Sequence, residues 1–103
     1  MSNYKGKISR AVAEGLRDHI NAVVLGIHNA DSDDDKMLAA ALAQVYIKLE
    51  EKLVRVKKKY NITLTPVEAF AVRVLHNDFT SANLYLNNAL LQLSNDIHQF
   101  HYQ

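Results

Sequence analysis

Apolar residues recur along this chain at steps of three and four, the spacing of one face of an α-helix. A first helix is predicted from near Ser9, or a little earlier, to about His28, on Ile8, Val12, Leu16, Ile20, Val23, Val24 and Ile27. Arg10, Glu14, Arg17, Asp18 and Asn21 fall mostly on its other faces. Gly15 and Gly26 weaken it by ~1 kcal/mol each relative to alanine. The turn is expected at Asn29 and Ala30.

A second helix is expected to open at Asp31 or Ser32, with Asp33, Asp34 and Asp35 opposing the positive end of its dipole. Lys52, Arg55, Lys57, Lys58 and Lys59 oppose the negative end. Its stripe of Leu38, Leu42, Val45, Leu49, Leu53, Val56 and Tyr60 repeats over eleven residues, so the helix should run nearly straight. Met37, Ala39, Ala40, Ala43, Tyr46 and Ile47 make its first turns apolar on other sides too. One neighbouring helix cannot cover so wide an arc. That end should therefore be central in a bundle or part of a contact between chains.

After a short connection at residues 61–64 comes the sharpest local signal, Thr65-Pro66-Val67-Glu68. Threonine is the N-cap, proline suits the first helical position, and glutamate closes a capping box. From there Leu75, Phe79, Ala82, Leu86, Leu90, Leu93, Ile97 and Phe100 keep one helical phase to the end of the chain. The unbroken phase favours one long third helix of about 55 Å, with a kink or split near residues 76–81 as the alternative. Asp78, Thr80 and Ser81 are the candidate caps for a split. The predicted fold is all-α, a single domain of three long helices in an up-down-up antiparallel bundle. Residues 1–7 read as a flexible basic N-terminus.

Charge makes the last third distinctive. Arg73 is the last lysine or arginine, and beyond it only Asp78 and Asp96 carry formal charge. Opposite the predicted core stripe lie Leu84, Asn88, Leu91, Asn95, His98 and Tyr102. A leucine and asparagine face is what a second helix can bury, with asparagine fixing register at some cost in stability. Tyr46, Ile47, Leu84, Asn88, Leu91 and Asn95 are the interface candidates, and a two-fold homodimer is the simplest cover.

The antiparallel layout also gathers Lys5, Lys7, Arg10, Arg55, Lys57, Lys58 and Lys59 at one pole, with Glu68 the nearest predicted carboxylate. Such a pole could engage nucleic-acid phosphates or an acidic protein face. No DNA-reading motif accompanies it. The opposite pole would hold His28, Asp31, Asp33, Asp34 and Asp35, joined by Asp96, His98 and His101 from the chain's end. Those aspartates already have a capping task, and the Glu-x-x-His pairs of carboxylate-bridged di-iron bundles are absent. No metal and no cofactor are expected.

Composition narrows the classes further. The chain has 103 residues, net charge +1 and no cysteine, so thiol chemistry, thiolate zinc sites and disulfides are excluded. At 49% hydrophobic and 22% charged it is ordinary for a folded domain. The N-terminus lacks the apolar run of a signal peptide, and the nearly uncharged residues 37–47 are too few to span a bilayer. A soluble, cytoplasmic protein with no membrane role is expected. His19 and His76 lie within helices and read as structural or surface histidines. Ser9, Ser32, Thr65 and Thr80 read as caps or surface hydroxyls, because no histidine and acid stand at a triad's spacing. No catalytic residues are predicted. The leading expectation is a non-enzymatic interaction module of adaptor, inhibitor or regulatory-subunit type, self-associating through its charge-poor C-terminal helix. Nucleic-acid association is the alternative, and a small helical enzyme the reading least supported.

Overall fold

Alternation, not helical spacing, governs two short stretches of the chain. Tyr60, Ile62 and Leu64 alternate with Lys59, Asn61 and Thr63, and Tyr4, Gly6 and Ile8 alternate with Lys5, Lys7 and Ser9. In the computed structural model, which describes residues 2–27 and 32–102, both stretches are strands. Strand β1 (Tyr4–Ser9) pairs antiparallel with β2 (Lys59–Leu64), placing Tyr4 opposite Leu64, Gly6 opposite Ile62 and Ile8 opposite Tyr60. Those six residues line the inner face, and Tyr4, Ile8, Tyr60, Ile62 and Leu64 are buried there. The ring of Tyr4 lies over Gly6, where any side chain would collide with it. Four helices complete the described chain: α1 (Arg10–Ile27), α2 (Asp33–Leu53), α3 (Pro66–Asp78) and α4 (Leu84–Tyr102). The molecule is thus mostly helical, as predicted, with a small two-stranded sheet that was not.

Three expectations are corrected. The predicted flexible N-terminus is β1 from Tyr4 onward. The second helix stops at Leu53, short of Tyr60. Val56, assigned to its buried stripe, is instead 85% exposed, whereas Tyr60 is buried from the strand. Tyr60 also explains the stop: its hydroxyl donates to the Arg55 carbonyl at 2.5 Å and accepts from the Lys57 amide at 3.1 Å. The Arg10 guanidinium binds the same hydroxyl at 2.6 Å. A buried tyrosine whose hydroxyl is fully engaged pins residues 54–58 as a loop.

The long third helix is two helices. A rod of about 55 Å would not fit a molecule whose longest extent is 39 Å. Phe79 closes α3, its amide bonding the Leu75 carbonyl, and His19 on α1 binds the Phe79 carbonyl at 2.8 Å. Asn83 then caps α4 by accepting from the Leu86 amide at 3.2 Å. Asn87 reaches back to Ser81, accepting from its amide and donating to its carbonyl. The cap is therefore Asn83, not Asp78, Thr80 or Ser81. The split near residues 76–81 is the alternative that holds.

After the break the chain reverses. Phe100, near the end of α4, meets the ring of Tyr4 edge-on at 5.6 Å between centroids. α4 therefore returns to the level of the sheet, where α3 began. It packs on α3, α1 and β1, while α2 packs between α1 and α3. The predicted up-down-up three-helix bundle gives way to four helices and a ribbon. One continuous core runs through all six elements, with Leu16, Ile20, Leu42, Leu49, Leu75, Leu90 and Ile97 fully buried.

Other local predictions stand. Ser9 caps α1 through the Val12 amide at 3.2 Å. Thr65 and Glu68 form the reciprocal capping box, with Pro66 in the first turn. Ser32 is at the N-cap position of α2 without a side-chain cap bond. The turn assigned to Asn29 and Ala30, and the roles assigned to His28 and Asp31, lie outside the described residues.

Candidate functional site

The outer face of α4 follows directly from its register. Leu86, Leu90, Leu93, Ser94 and Ile97 are buried against the bundle. Helical geometry then turns Leu84, Asn88, Leu91, Asn95 and His98 to the other side, and each of them is exposed. Leu84 is 78% exposed, its neighbour Tyr85 60% and Leu91 47%. Asp96 is the one Asp, Glu, Lys or Arg in the helix. The stripe carries no Asp, Glu, Lys or Arg at all. The side chain of Tyr102, last in that stripe, lies outside the described ones.

The other two interface candidates stand elsewhere. Tyr46 is partly buried against the bundle's own core, and Ile47 is 48% exposed on α2. With α2 flanked by α1 and α3, only part of the wide apolar arc of its first turns, Ala39, Ala43 and Tyr46, is partly covered inside the chain. Ala41, Leu42 and Val45 are buried there, leaving Met37, Ala40, Gln44 and Ile47 outward. Tyr46 and Ile47 belong to α2, which packs on α1 and α3, whereas α4 packs chiefly on α3, α1 and β1.

The basic pole does assemble, but on a different scaffold. Ladder pairing of Ser9 with Lys59 and Lys7 with Asn61 joins the chain's start to the end of α2. Lys5, Lys7, Lys59, Asn61 and Thr63 occupy the sheet's outer face, and Arg55, Lys57 and Lys58 the adjoining loop. Arg10 is diverted inward: it pairs with Glu14 at 2.7 Å and holds Tyr60 and the Arg55 carbonyl. Glu68 does not neutralise this pole. It is buried, paired with Lys48, and bonded to the Thr65 amide at 2.8 Å. Burial alone would raise the Glu68 carboxyl's pKa, but the bonds from Lys48 and Thr65 outweigh it and hold it below its ordinary value.

The acidic pole loses its predicted partners. Asp33, Asp34 and Asp35 open α2, but the reversal at residues 79–83 carries Asp96 to a shallow hollow beside Tyr4, Lys5 and Lys7. Burial and then the charge of Asp96 push the Tyr4 hydroxyl above its usual pKa. His101 adjoins the Phe100 ring at the same end. Among the described residues, no three His, Asp or Glu side chains come together as a metal site.

Two grooves remain. One of about 720 Å³ runs between α1 and residues 79–83, lined by Gly15, His19, Val23, Phe79, Ser81 and Leu86. His19 on its wall is already bonded to the Phe79 carbonyl, as a structural histidine would be. The other, about 480 Å³, lies between the start of α2 and α3, where Met37, Val67 and Phe70 are exposed beside Asp34, Asp35 and Asp78. Phe70 escapes notice in the sequence because it shares a helix with a buried stripe that accounts for apolar residues, and Val67 reads there only as part of the capping motif. No described helix is long and apolar enough to cross a membrane.

No family model, no curated protein and no solved structure matches this chain.

Proposed function

We propose that this chain is a non-enzymatic protein-interaction module that self-associates through the outer face of α4. The observation that carries the reading is the exposed, charge-free stripe of Leu84, Asn88, Leu91 and Asn95 on the reverse of a buried one. A solvated helix face normally carries Lys and Glu, and leucines left this open favour burial against a partner.

The occupant proposed is a second copy. A two-fold contact sets each patch against itself, so any charge on it would face a like charge. This stripe has no Asp, Glu, Lys or Arg to repel its twin. Antiparallel pairing of two α4 helices also brings opposite dipole ends together. With the dyad between Asn87 and Asn88, Leu84 of each copy faces Leu91 of the other. Asparagines placed among leucines then penalise other registers.

Light scattering on the eluting protein tests this. The wild-type chain should have a mass about twice 11.6 kDa at tens of micromolar. Leu84→Asp with Leu91→Asp should halve it while leaving the helical circular dichroism unchanged. A monomeric wild-type protein at that concentration contradicts the proposal.

A further inference from the structure

Six cations stand together on and beside the ribbon: Lys5, Lys7 and Lys59 on its outer face, Arg55, Lys57 and Lys58 in the loop before β2. Among the described residues none of them lies within ion-pair distance of a carboxylate. Elsewhere three cations are paired, Arg10 with Glu14, Arg17 with Asp18 and Glu50, and Lys48 with Glu68, whereas Lys36, Lys52 and Arg73 stand apart from one another without a carboxylate among the described residues. Two carboxylates border the ribbon, Asp96 at the β1 side and Glu51 at the β2 side, and neither closes on its lysines. The rest of the outer face is uncharged and hydrogen-bonding, with Asn61 opposite Lys7 and Thr63 opposite Lys5.

We infer that this ribbon face and the adjoining loop dock on duplex DNA, through its phosphates. The inference stands independently of self-association, since it uses neither α4 nor the residues of its outer stripe. Unpaired cations fixed on a rigid ribbon release condensed counterions when they meet phosphates, which is the main source of sequence-independent affinity. A two-stranded ribbon is also the right width for the major groove of B-form DNA. The helices cover only its inner face, so the outer one is open to a duplex. Single strands are disfavoured, because they are held by aromatic stacking platforms, and the ribbon's aromatics, Tyr4 and Tyr60, point inward and are buried. Duplex RNA offers a major groove too deep and narrow to enter. An anionic bilayer would reward apolar side chains between the lysines; the ribbon face has none, and only the loop exposes two, Val54 and Val56.

Fluorescence anisotropy with a labelled short DNA duplex, using the full chain, tests the inference. If all six cations engage, affinity should fall about a thousandfold between ~50 and ~200 mM salt. Each cation removed should lower the logarithmic salt slope by about 0.9. Two separate variants, Lys5→Ala with Lys7→Ala and Lys57→Ala with Lys58→Ala and Lys59→Ala, should each weaken binding and flatten that slope. Lys36→Ala, at the far end of α2, should do neither. These residues are exposed, so circular dichroism should be unchanged in every variant. Absence of binding at the lower salt overturns the inference. So does binding that survives both lysine variants, a preference for single-stranded DNA or duplex RNA, or binding to phosphatidylserine vesicles without binding to DNA.

Discussion

The β1–β2 ribbon and helix α4 solve one folding problem in the same way. Each packs an apolar face on the core and turns its other face to water. The ribbon does it with period two, through Tyr4, Ile8, Tyr60, Ile62 and Leu64. The helix does it through Leu86, Leu90, Leu93 and Ile97. Their outer faces then diverge. The ribbon offers Lys5, Lys7 and Lys59 between Asn61 and Thr63, and α4 offers leucine and asparagine. Buried residues are constrained by the fold, whereas exposed ones are free to serve something else. The chemistry left outside is therefore the better guide to partners, and here it differs in kind. An all-positive face cannot pair with itself, and an uncharged one can.

Adjacent leucines break the comparison most sharply. Leu90→Ala should cost about 2–5 kcal/mol in denaturant unfolding, because the deleted methyls leave a cavity in the core. Leu91→Ala, one residue on, should cost no more than about 0.5 kcal/mol in dilute protein, where only an exposed side chain is lost. Equal costs would mean that α4 has no outer face. Next comes Gly6→Val, which should destabilise by about 1–3 kcal/mol, because the added side chain displaces the Tyr4 ring. Since Phe100 packs on that ring, amide exchange should speed up at the end of α4 as well as in the ribbon. Acceleration confined to β1 would show the two regions to be uncoupled. Asn83→Ala should cost about 1 kcal/mol through the lost cap, read as a lower denaturation midpoint with an unchanged slope.

The smallest effect is electrostatic. The Glu68 carboxyl sits below its ordinary value of 4.5 in the folded chain. Its ion pair therefore stabilises the fold fully above that value, and the contribution fades as pH falls through the folded one. Lys48 is about a third exposed, so the pair contributes about 1 kcal/mol or less. Glu68→Gln should flatten the acid limb of the stability profile by that amount. An unchanged acid limb would show the pair to be inert.

The helical core was legible in the sequence because its signal is periodic and redundant. Val12, Leu16 and Ile20 were placed correctly, as were Leu42, Val45 and Leu49, and so was the Thr65–Glu68 capping box. The strands were overlooked although Tyr60, Ile62 and Leu64 alternate. The phase of α2 happens to reach Tyr60, which made the alternation look like a continued helix. The break at residues 79–83 was obscured in the same way, since Leu75 and Leu86 keep helical phase across a reversal. What opens the chain there is a set of polar bonds, from His19 to Phe79 and from Asn87 to Ser81. The first spans sixty residues, and no local pattern reports it. The α4 stripe was legible as a pattern, and its exposure needed the coordinates. The basic cluster was legible as a set of residues, but its support was mistaken for two helix ends.

Sedimentation velocity of the protein mixed with duplex DNA, at ~50 and ~500 mM salt, tests the contrast between the two faces most directly. An uncharged contact on α4 and a charged one on the ribbon predict a dimer at both salts. They also predict that DNA sediments with the protein only at the lower salt. A chain that is monomeric at the higher salt, or a dimer that dissociates as salt rises while DNA stays bound, would contradict it.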